Sequence, residues 1–476
     1  VRFLLITLLL TVPAFAGVPA KTDVVIIGAG LSGLATAYEL KKAHIAYHLL
    51  EIQPRVGGRV RTVRYHRPGE PEVSVDAGME EYWESNPAVA LLRELKLPTR
   101  GDVALSSLVL GGKLEPLGDV TAAEFEKQIF SADEIAALHA FKTKVAPLVD
   151  QLIAHRDDGA AIAPELFALK DQAFGAWVRA QGVPLKTADW IRISIECEIG
   201  TSWDRISALD GIAEFHIFAH GDGEKSVRVN GGNDQFTDAL ARSVGLANIS
   251  VNERVNRVAS KDGTVAVTYL DTSTNRSGVI RARAVVSTVP LFRLFEVQFD
   301  PALSPKKREA ITTMSWGAYF KAHVFLPRSA EKFWTAKSGS VLPLLSDSPL
   351  GVVYDGNPDE KAGPKILSLL TFGDAAEKFN MQPLDATRAE ITAGLDKLWP
   401  GLGAEVGEIE FYRYHPRAIA AWPPGRSRFD ALSDEIRRPE NGVYLAGDFT
   451  ESSHSDGAFI SAHRAARAIV AALGRK

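Results

Sequence analysis

The chain has 476 residues, 46% of them hydrophobic and 24% charged, with a formal net charge of −4. That balance fits a globular protein of roughly three units of ~150 residues, and the acid excess argues against a nucleic-acid-binding surface. The single cysteine, Cys197, excludes an internal disulfide and a cysteine-based metal cluster, so no metal site is expected.

Arg2 precedes the apolar run Phe3 to Val12, then Pro13 and the small-residue end Ala14-Phe15-Ala16. This reads as a signal peptide covering residues 1–16, too short to span a bilayer, which takes ~20 residues. The mature protein is expected to be exported, periplasmic or secreted, with no stable membrane span.

A short β-branched run, Asp23-Val24-Val25-Ile26-Ile27, predicts a buried parallel strand. Gly28-Ala29-Gly30-Leu31-Ser32-Gly33 follows at once, and Leu34 to Lys42 has helical spacing. His44 to Leu50 predicts a second strand, ending in Glu51. Each part suits a dinucleotide. Gly28 allows the tight turn, Gly30 lets backbone approach a pyrophosphate, and Gly33 lets helix and strand pack. Leu31 and Ser32 lie at the helix N-terminus, where unpaired N–H groups and the dipole favour phosphate. Glu51 can accept hydrogen bonds from a ribose diol.

The next turn, Arg55-Val56-Gly57-Gly58-Arg59, combines two glycines for close backbone approach with an arginine able to face phosphate charge. Glutamate followed by Arg-x-Gly-Gly-Arg after the fingerprint resembles the flavin-dependent amine oxidase superfamily. The resemblance implies FAD, held by Gly28, Gly30, Leu31, Ser32, Gly33, Glu51, Gly57, Gly58 and Arg59. The family's usual arginine two residues after the glutamate is replaced by Gln53.

Further along, Val75-Asp76-Ala77-Gly78 resembles the family's Asp-x-Gly stretch, which implies flavin contacts from Gly78 and Met79. Glu80 and Glu81 follow and could attract a cationic amine; a solvated turn is the alternative. Thr121 to His220 carries apolar residues at helical spacing and predicts a helical insertion over the substrate entrance. Val227 to Asn233 resembles the family's entry into a helix. Ile249 to Val255 predicts one strand and Val265 to Tyr269 another, with Val255 implied to hold the adenine. Ala284 to Pro290 resembles the return strand.

Lys321 lies in the alternating run Trp316 to Leu326, where a buried lysine is unusual. The resemblance places it beside flavin N5, in oxygen reactivity or proton handling; a solvated edge lysine is the alternative. Trp422, in Ala421-Trp422-Pro423-Pro424-Gly425, resembles the aromatic segment beside the flavin. It is a candidate to stack on substrate or cofactor, with a core tryptophan as the alternative. No tyrosine precedes it, so one side of the monoamine oxidases' aromatic cage is missing. No cysteine lies at 415–420, the family's flavin-attachment region, so FAD is expected to be non-covalent. Gly442 to Asp448 predicts a strand ending in Gly447-Asp448, and a helix starting near Gly457-Ala458 runs to Leu473. The resemblance gives Gly447, Asp448 and Ala458 to the flavin. His454 and Asp456 could form an acid–base pair or simply sit in a solvated loop.

The expected fold is α/β: a discontinuous Rossmann-like FAD-binding domain (22–75, 228–300 and 435–476), a mixed-sheet substrate domain (76–120 and 301–434) and a helical insertion (121–227). The expected function is FAD-dependent oxidation of a small-molecule amine, with hydride passing from the amine carbon to flavin N5 and molecular oxygen as acceptor. The terminal Gly-Asp segment also resembles carotenoid and tetrapyrrole desaturases and isomerases. A third reading is a FAD-fold binding protein without turnover.

Overall fold

Val24–Ile27 is buried at every position and forms the centre of a parallel sheet. The sheet runs Ile249–Ser250, Tyr47–Leu50, Val24–Ile27, Ala284–Ser287, Val443–Leu445. Such strands need apolar residues on both faces, because helices cover each side. The computed structural model describes residues 17–101, 105–118, 120–219, 225–336, 339–359, 361 and 363–474. The expected signal peptide, 1–16, lies outside the described residues.

The first helix is Leu31–Lys42, three residues longer at its start than its apolar spacing predicts. It leaves the first strand so tightly that a Cβ on Gly33 would lie 2.0 Å from the Gly28 carbonyl oxygen. It packs beside Asp234–Val244 and the C-terminal helix Ser455–Ala472. Leu34, Leu40, Phe236, Phe459 and Ile469 share one core there, with Phe236 and Phe459 stacked at 5.7 Å.

The predicted strand Ile249 to Val255 is broken in two. Ile249–Ser250 joins the parallel sheet, while Glu253–Lys261 begins an antiparallel sheet with Thr264–Asp271 and Arg276–Ala282. The turn is made at Asn252, whose φ of 63° is a left-handed conformation that asparagine tolerates better than most residues.

A seven-stranded sheet carries Tyr319–Leu326 between Ile409–Tyr412 and Lys365–Phe372. Strand alternation divides its residues. Phe320, Ala322 and Val324 pack into an apolar core with Phe379 and Leu395. Tyr319, Lys321 and His323 form the opposite row. Residues 121–219 are mainly helical, with a 27-residue helix, Ala132–Asp158, opened by a Ser131–Glu134 capping box and closed by Gly159 at φ 70°. This unit has its own core, including Phe141, Trp177, Ile191 and Phe215. Among the described residues no helix is long and apolar enough to cross a membrane.

Candidate active site

The glycine turn and the double-glycine turn meet edge to edge. Gly57 N–H donates to the Ala29 carbonyl at 2.8 Å, and a Cβ on Gly58 would lie 3.2 Å from Gly30 Cα. Arg55 ties the second turn by donating to the carbonyls of Val56 and Gly58 at 2.9 and 2.8 Å. Gly30 caps the first helix without any side-chain bond, and the first turn has no acid. Its leading N–H groups therefore remain available to an anion. Glu51 is 5% exposed and accepts from Ala29 N–H at 2.7 Å and Gln53 N–H at 2.8 Å. An ionised carboxylate has about four acceptor sites, so two bonds leave room for a ribose. Burial pushes its carboxyl upward, and the two N–H groups and Arg55 oppose that shift.

The C-terminal strand brings Asp448 onto Arg59. Arg59 Nη1 donates to Oδ2 at 2.9 Å and Nη2 to Oδ1 at 2.5 Å. Arg59 also donates to the Ala418 carbonyl, and Ala420 N–H donates to Asp448 at 3.3 Å. The arginine expected to face phosphate is thus paired with the aspartate expected to face the ribityl chain. Even so, 41% of the Arg59 side chain remains accessible, so one side borders open space. Ser32 and Ser461 hydroxyls lie 3.4 Å apart, and Ser461 accepts from Gly447 N–H at 2.9 Å, joining the starts of the first and last helices. Gly78 closes on the same turn: a Cβ there would lie 2.1 Å from the Arg59 carbonyl oxygen, to which Met79 N–H donates at 3.2 Å. Ala458 is in the first turn of the last helix, and its carbonyl accepts from Ser461. Val255 is 7% exposed, paired with Tyr269 just before a bulge, and packs against Ile27 and Leu50.

A cradle of close-approach glycines, a helix N-terminus with spare donors, a buried Glu51 and an Arg59 facing open space fit a flavin dinucleotide.

Lys321 is wholly buried and is not an edge lysine. Its ammonium contacts the Glu80 carboxylate, whose other oxygen lies 3.1 Å from Arg228 Nη1. Asn233 fixes that turn by donating to the Glu80 carbonyl at 2.6 Å. Glu80 is therefore not a solvated turn residue, and Glu81 also lies toward Arg228, at 3.9 Å. Burial pushes Lys321 down to about 7, with Asp76 opposing. Asp76, Glu80 and Arg228 also line a cleft of about 560 Å³.

Burial and the Lys321 charge hold His323 down to about 3, so its ring is neutral. With Nε2 3.1 Å from the Asp76 carbonyl, the ring N–H donates there, and Nδ1 accepts from Tyr65 hydroxyl at 2.6 Å.

A second polar cluster has no counterpart in the sequence reading beyond His454 and Asp456. His454 Nε2 lies 2.7 Å from Glu214, and Glu214 also contacts Arg428. Arg428 Nε donates to Asp210 at 2.8 Å. Burial works against the imidazolium, but Glu214 overrides it and lifts His454 to about 9. Arg428 and His454 together hold the Glu214 carboxyl far below its ordinary range despite burial. Asp456 is not the partner of His454: it accepts from Ser452 at 2.5 Å. The true partner lies 240 residues away in the helical unit, with no local motif to announce it. Glu214 and Arg428 were missed for that reason.

Trp422 is placed in the core. It is 1% exposed, its Nε1 donates to Ser433 at 3.1 Å, and the Arg428 guanidinium lies over its ring at 4.8 Å. It belongs to an apolar core with Ile436 and Phe449, the setting of the core-tryptophan alternative. Cys197 is half-buried and donates to the Ser194 carbonyl at 3.1 Å. Burial pushes its thiol up, which keeps it protonated.

The profile of the flavin-containing amine oxidoreductase family matches residues 31–470. A putative flavin-containing monoamine oxidase of Mycobacterium tuberculosis is 26% identical over 487 residues, covering 96% of this chain and 98% of its own. The flavin-dependent L-tryptophan oxidase of Lentzea aerocolonigenes is 26% identical over 514 residues, covering 95% and 98%. In fold, the chain is similar to putrescine oxidase bound to putrescine, with a TM-score of 0.78 at 20% identity over 95% of this chain and 99% of that one. Cyclohexylamine oxidase from Brevibacterium oxydans gives 0.76 at 20% identity and the same coverage. Together with the glycine cradle and the joined chain ends, the match over most of the sequence places the chain in the flavin-containing amine oxidoreductase family as an FAD-dependent oxidoreductase.

Proposed function

We propose that the protein is an exported FAD-dependent amine oxidase that converts a small amine to an imine, hydrolysed to aldehyde and ammonia, with oxygen reduced to peroxide. The observation that carries this reading is the sealed Lys321, aligned with Tyr319 on the strand row facing the turn that contains Gly78 and Met79. The FAD would be non-covalent, since no cysteine lies at 415–420.

Bound FAD would supply the hydride acceptor and the route to oxygen. The chain's part is binding, orientation and charge. The first turn of Leu31–Lys42 would hold the pyrophosphate, Glu51 the ribose, and Asp448 the ribityl chain. Arg59 would keep Asp448 aimed through its two hydrogen bonds. Lys321, titrating near neutrality, can carry or release a proton inside the fold without waiting on bulk water. Glu80 favours its charged form and fixes its position.

The test is anaerobic mixing of the yellow holoprotein with amines and with polyenes, followed by peroxide release in air. Bleaching by amines with stoichiometric peroxide supports the proposal; bleaching only by polyenes replaces it with the desaturase reading. Acid precipitation should leave the flavin in the supernatant. N-terminal sequencing from the native host checks export: a chain starting at Val1 would rule out cleavage after Ala16.

A further inference from the structure

Glu198 is the penultimate residue of the helix Leu185–Ile199, which ends at Gly200 with φ 61°. Its last turn holds no basic residue but two acids, Glu196 and Glu198. A carboxylate there opposes the negative end of the helix dipole. Glu196 is answered by Arg192 at 2.9 Å and by Trp203 N–H at 3.2 Å. Among the described residues, the only hydrogen-bond partner of the Glu198 carboxylate is the Cys197 thiol, at 3.8 Å. Burial pushes its carboxyl up and the nearby Glu214 charge adds to that, while His454 and the weak Cys197 hydrogen bond only partly relieve it. Yet Glu198 is half-buried, so this deep carboxylate borders open space.

Its position ties it to the site. Tyr319 hydroxyl donates to the carbonyls of Cys197 and Glu198 at 2.7 and 2.8 Å, and Tyr319 is on the same strand row as Lys321. On the other side, His454 follows Ser453, whose hydroxyl donates to the Ala420 carbonyl at 2.9 Å; Ala420 N–H in turn reaches Asp448.

The charges do not balance. Arg428 is neutralised between Asp210 and Glu214, and His454 is held by Glu214. Among the described residues these cations also face Asp456, which is held by the Ser452 hydroxyl, and Glu198, whose carboxylate has neither an ion pair nor any hydrogen-bond partner beyond the Cys197 thiol. Arg156, the next cation, is taken by Asp157 at 2.7 Å, so among the described residues a substrate carboxylate would find no unpaired cation on this wall, whereas a substrate ammonium would find the Glu198 carboxylate. We infer that Glu198 anchors a second, non-reacting ammonium of the substrate, which assigns the enzyme to α,ω-diamines over α-amino acids. This rests on the amine-oxidase reading above. An uncompensated acid in such a place lowers stability, and a substrate cation would supply the missing partner.

The experiment compares FAD-loaded wild type with Glu198→Gln and Glu198→Asp, using putrescine, cadaverine, n-pentylamine and L-norleucine. Thermal shift is measured without oxygen, and peroxide release in air. Wild type should be stabilised by the diamines and oxidise them in preference to n-pentylamine, with no use of L-norleucine. Glu198→Gln should raise the diamine KM by at least about tenfold, leave n-pentylamine within about twofold, and melt higher without ligand. Glu198→Asp, which keeps the charge, should retain the diamine preference. Equal effects of Glu198→Gln on cadaverine and n-pentylamine, or a wild-type preference for L-norleucine, overturn the inference. Amine oxidation that is indifferent to Glu198→Gln sinks the anchor and spares the oxidase reading. A diamine thermal shift lost in Glu198→Gln without any amine oxidation does the reverse.

Discussion

Arg59 and Asp448 are 389 residues apart in sequence and joined by two near-parallel hydrogen bonds, at 2.9 and 2.5 Å. The planar guanidinium matches a carboxylate in this fork geometry, which fixes orientation as well as charge. The pair locks the double-glycine turn near the front of the chain to the strand that ends the parallel sheet. It also aims Asp448 before any ligand arrives.

Breaking that pair should cost flavin retention before it costs the fold. Arg59→Ala strands a 3%-exposed carboxylate, while Asp448→Asn keeps the shape and loses the charge. Each should weaken flavin binding by about 2 kcal/mol, the scale of a charge-assisted bond. The ratio of flavin to protein absorbance after gel filtration measures it. Full occupancy in both variants would show the pair to be a structural staple only.

Glu51→Ala should also shed flavin, by ~1.5–3 kcal/mol per lost ribose bond. The N–H groups of Ala29 and Gln53 lose their acceptor at the same time. Apoprotein melting therefore serves as the control: a small drop in Tm with a large loss of flavin affinity locates the role at the ribose.

Lys321→Met should slow reoxidation by oxygen, or flavin reduction, by roughly tenfold, about 1.4 kcal/mol in a barrier. Methionine keeps length and apolar packing, and Arg228 still holds Glu80. The folded lysine titrates near 7, below its ordinary value, so its charge is lost as pH rises through neutrality. The wild-type reoxidation rate should fall over that interval and the variant's should stay flat. Stopped-flow traces matching in both half-reactions would make Lys321 a structural residue.

The His454–Glu214 pair gives a stability signature. His454 is raised from 6.5 to about 9, so its contribution is fully present below pH 6.5 and lost as pH rises to about 9. Lys321, lowered in the fold, contributes with the opposite sign over the same interval, so the readout is the difference: the Tm of wild type should fall relative to that of His454→Gln across that window. Parallel curves would place the titrating group elsewhere.

What the sequence disclosed follows the range of the interactions. The strand, glycine turn, helix and Glu51 were legible because their spacing is local and each residue has one backbone job. Lys321 stood out because strand alternation forces a residue to one face or the other. Trp422 was left between two readings because its segment marks a place in the chain, not the side to which the ring turns; Ser433 and Arg428 decide that. The break at Asn252 was hidden because apolar residues run through both pieces. Glu198, Glu214 and Arg428 were beyond reach, since their meaning arises only where the helical unit lies against the segment after Trp422.

The parallel sheet gathers strands from residues 24–50, 249–287 and 443–445, and its last contribution delivers Asp448. During synthesis the cofactor cradle therefore stays open on one side until the Val443–Leu445 strand and Asp448 have left the ribosome. A chain truncated before Val443 would own the phosphate turn and Glu51 yet lack the clasp, so tight flavin capture reports that the Val443–Leu445 strand has joined the sheet.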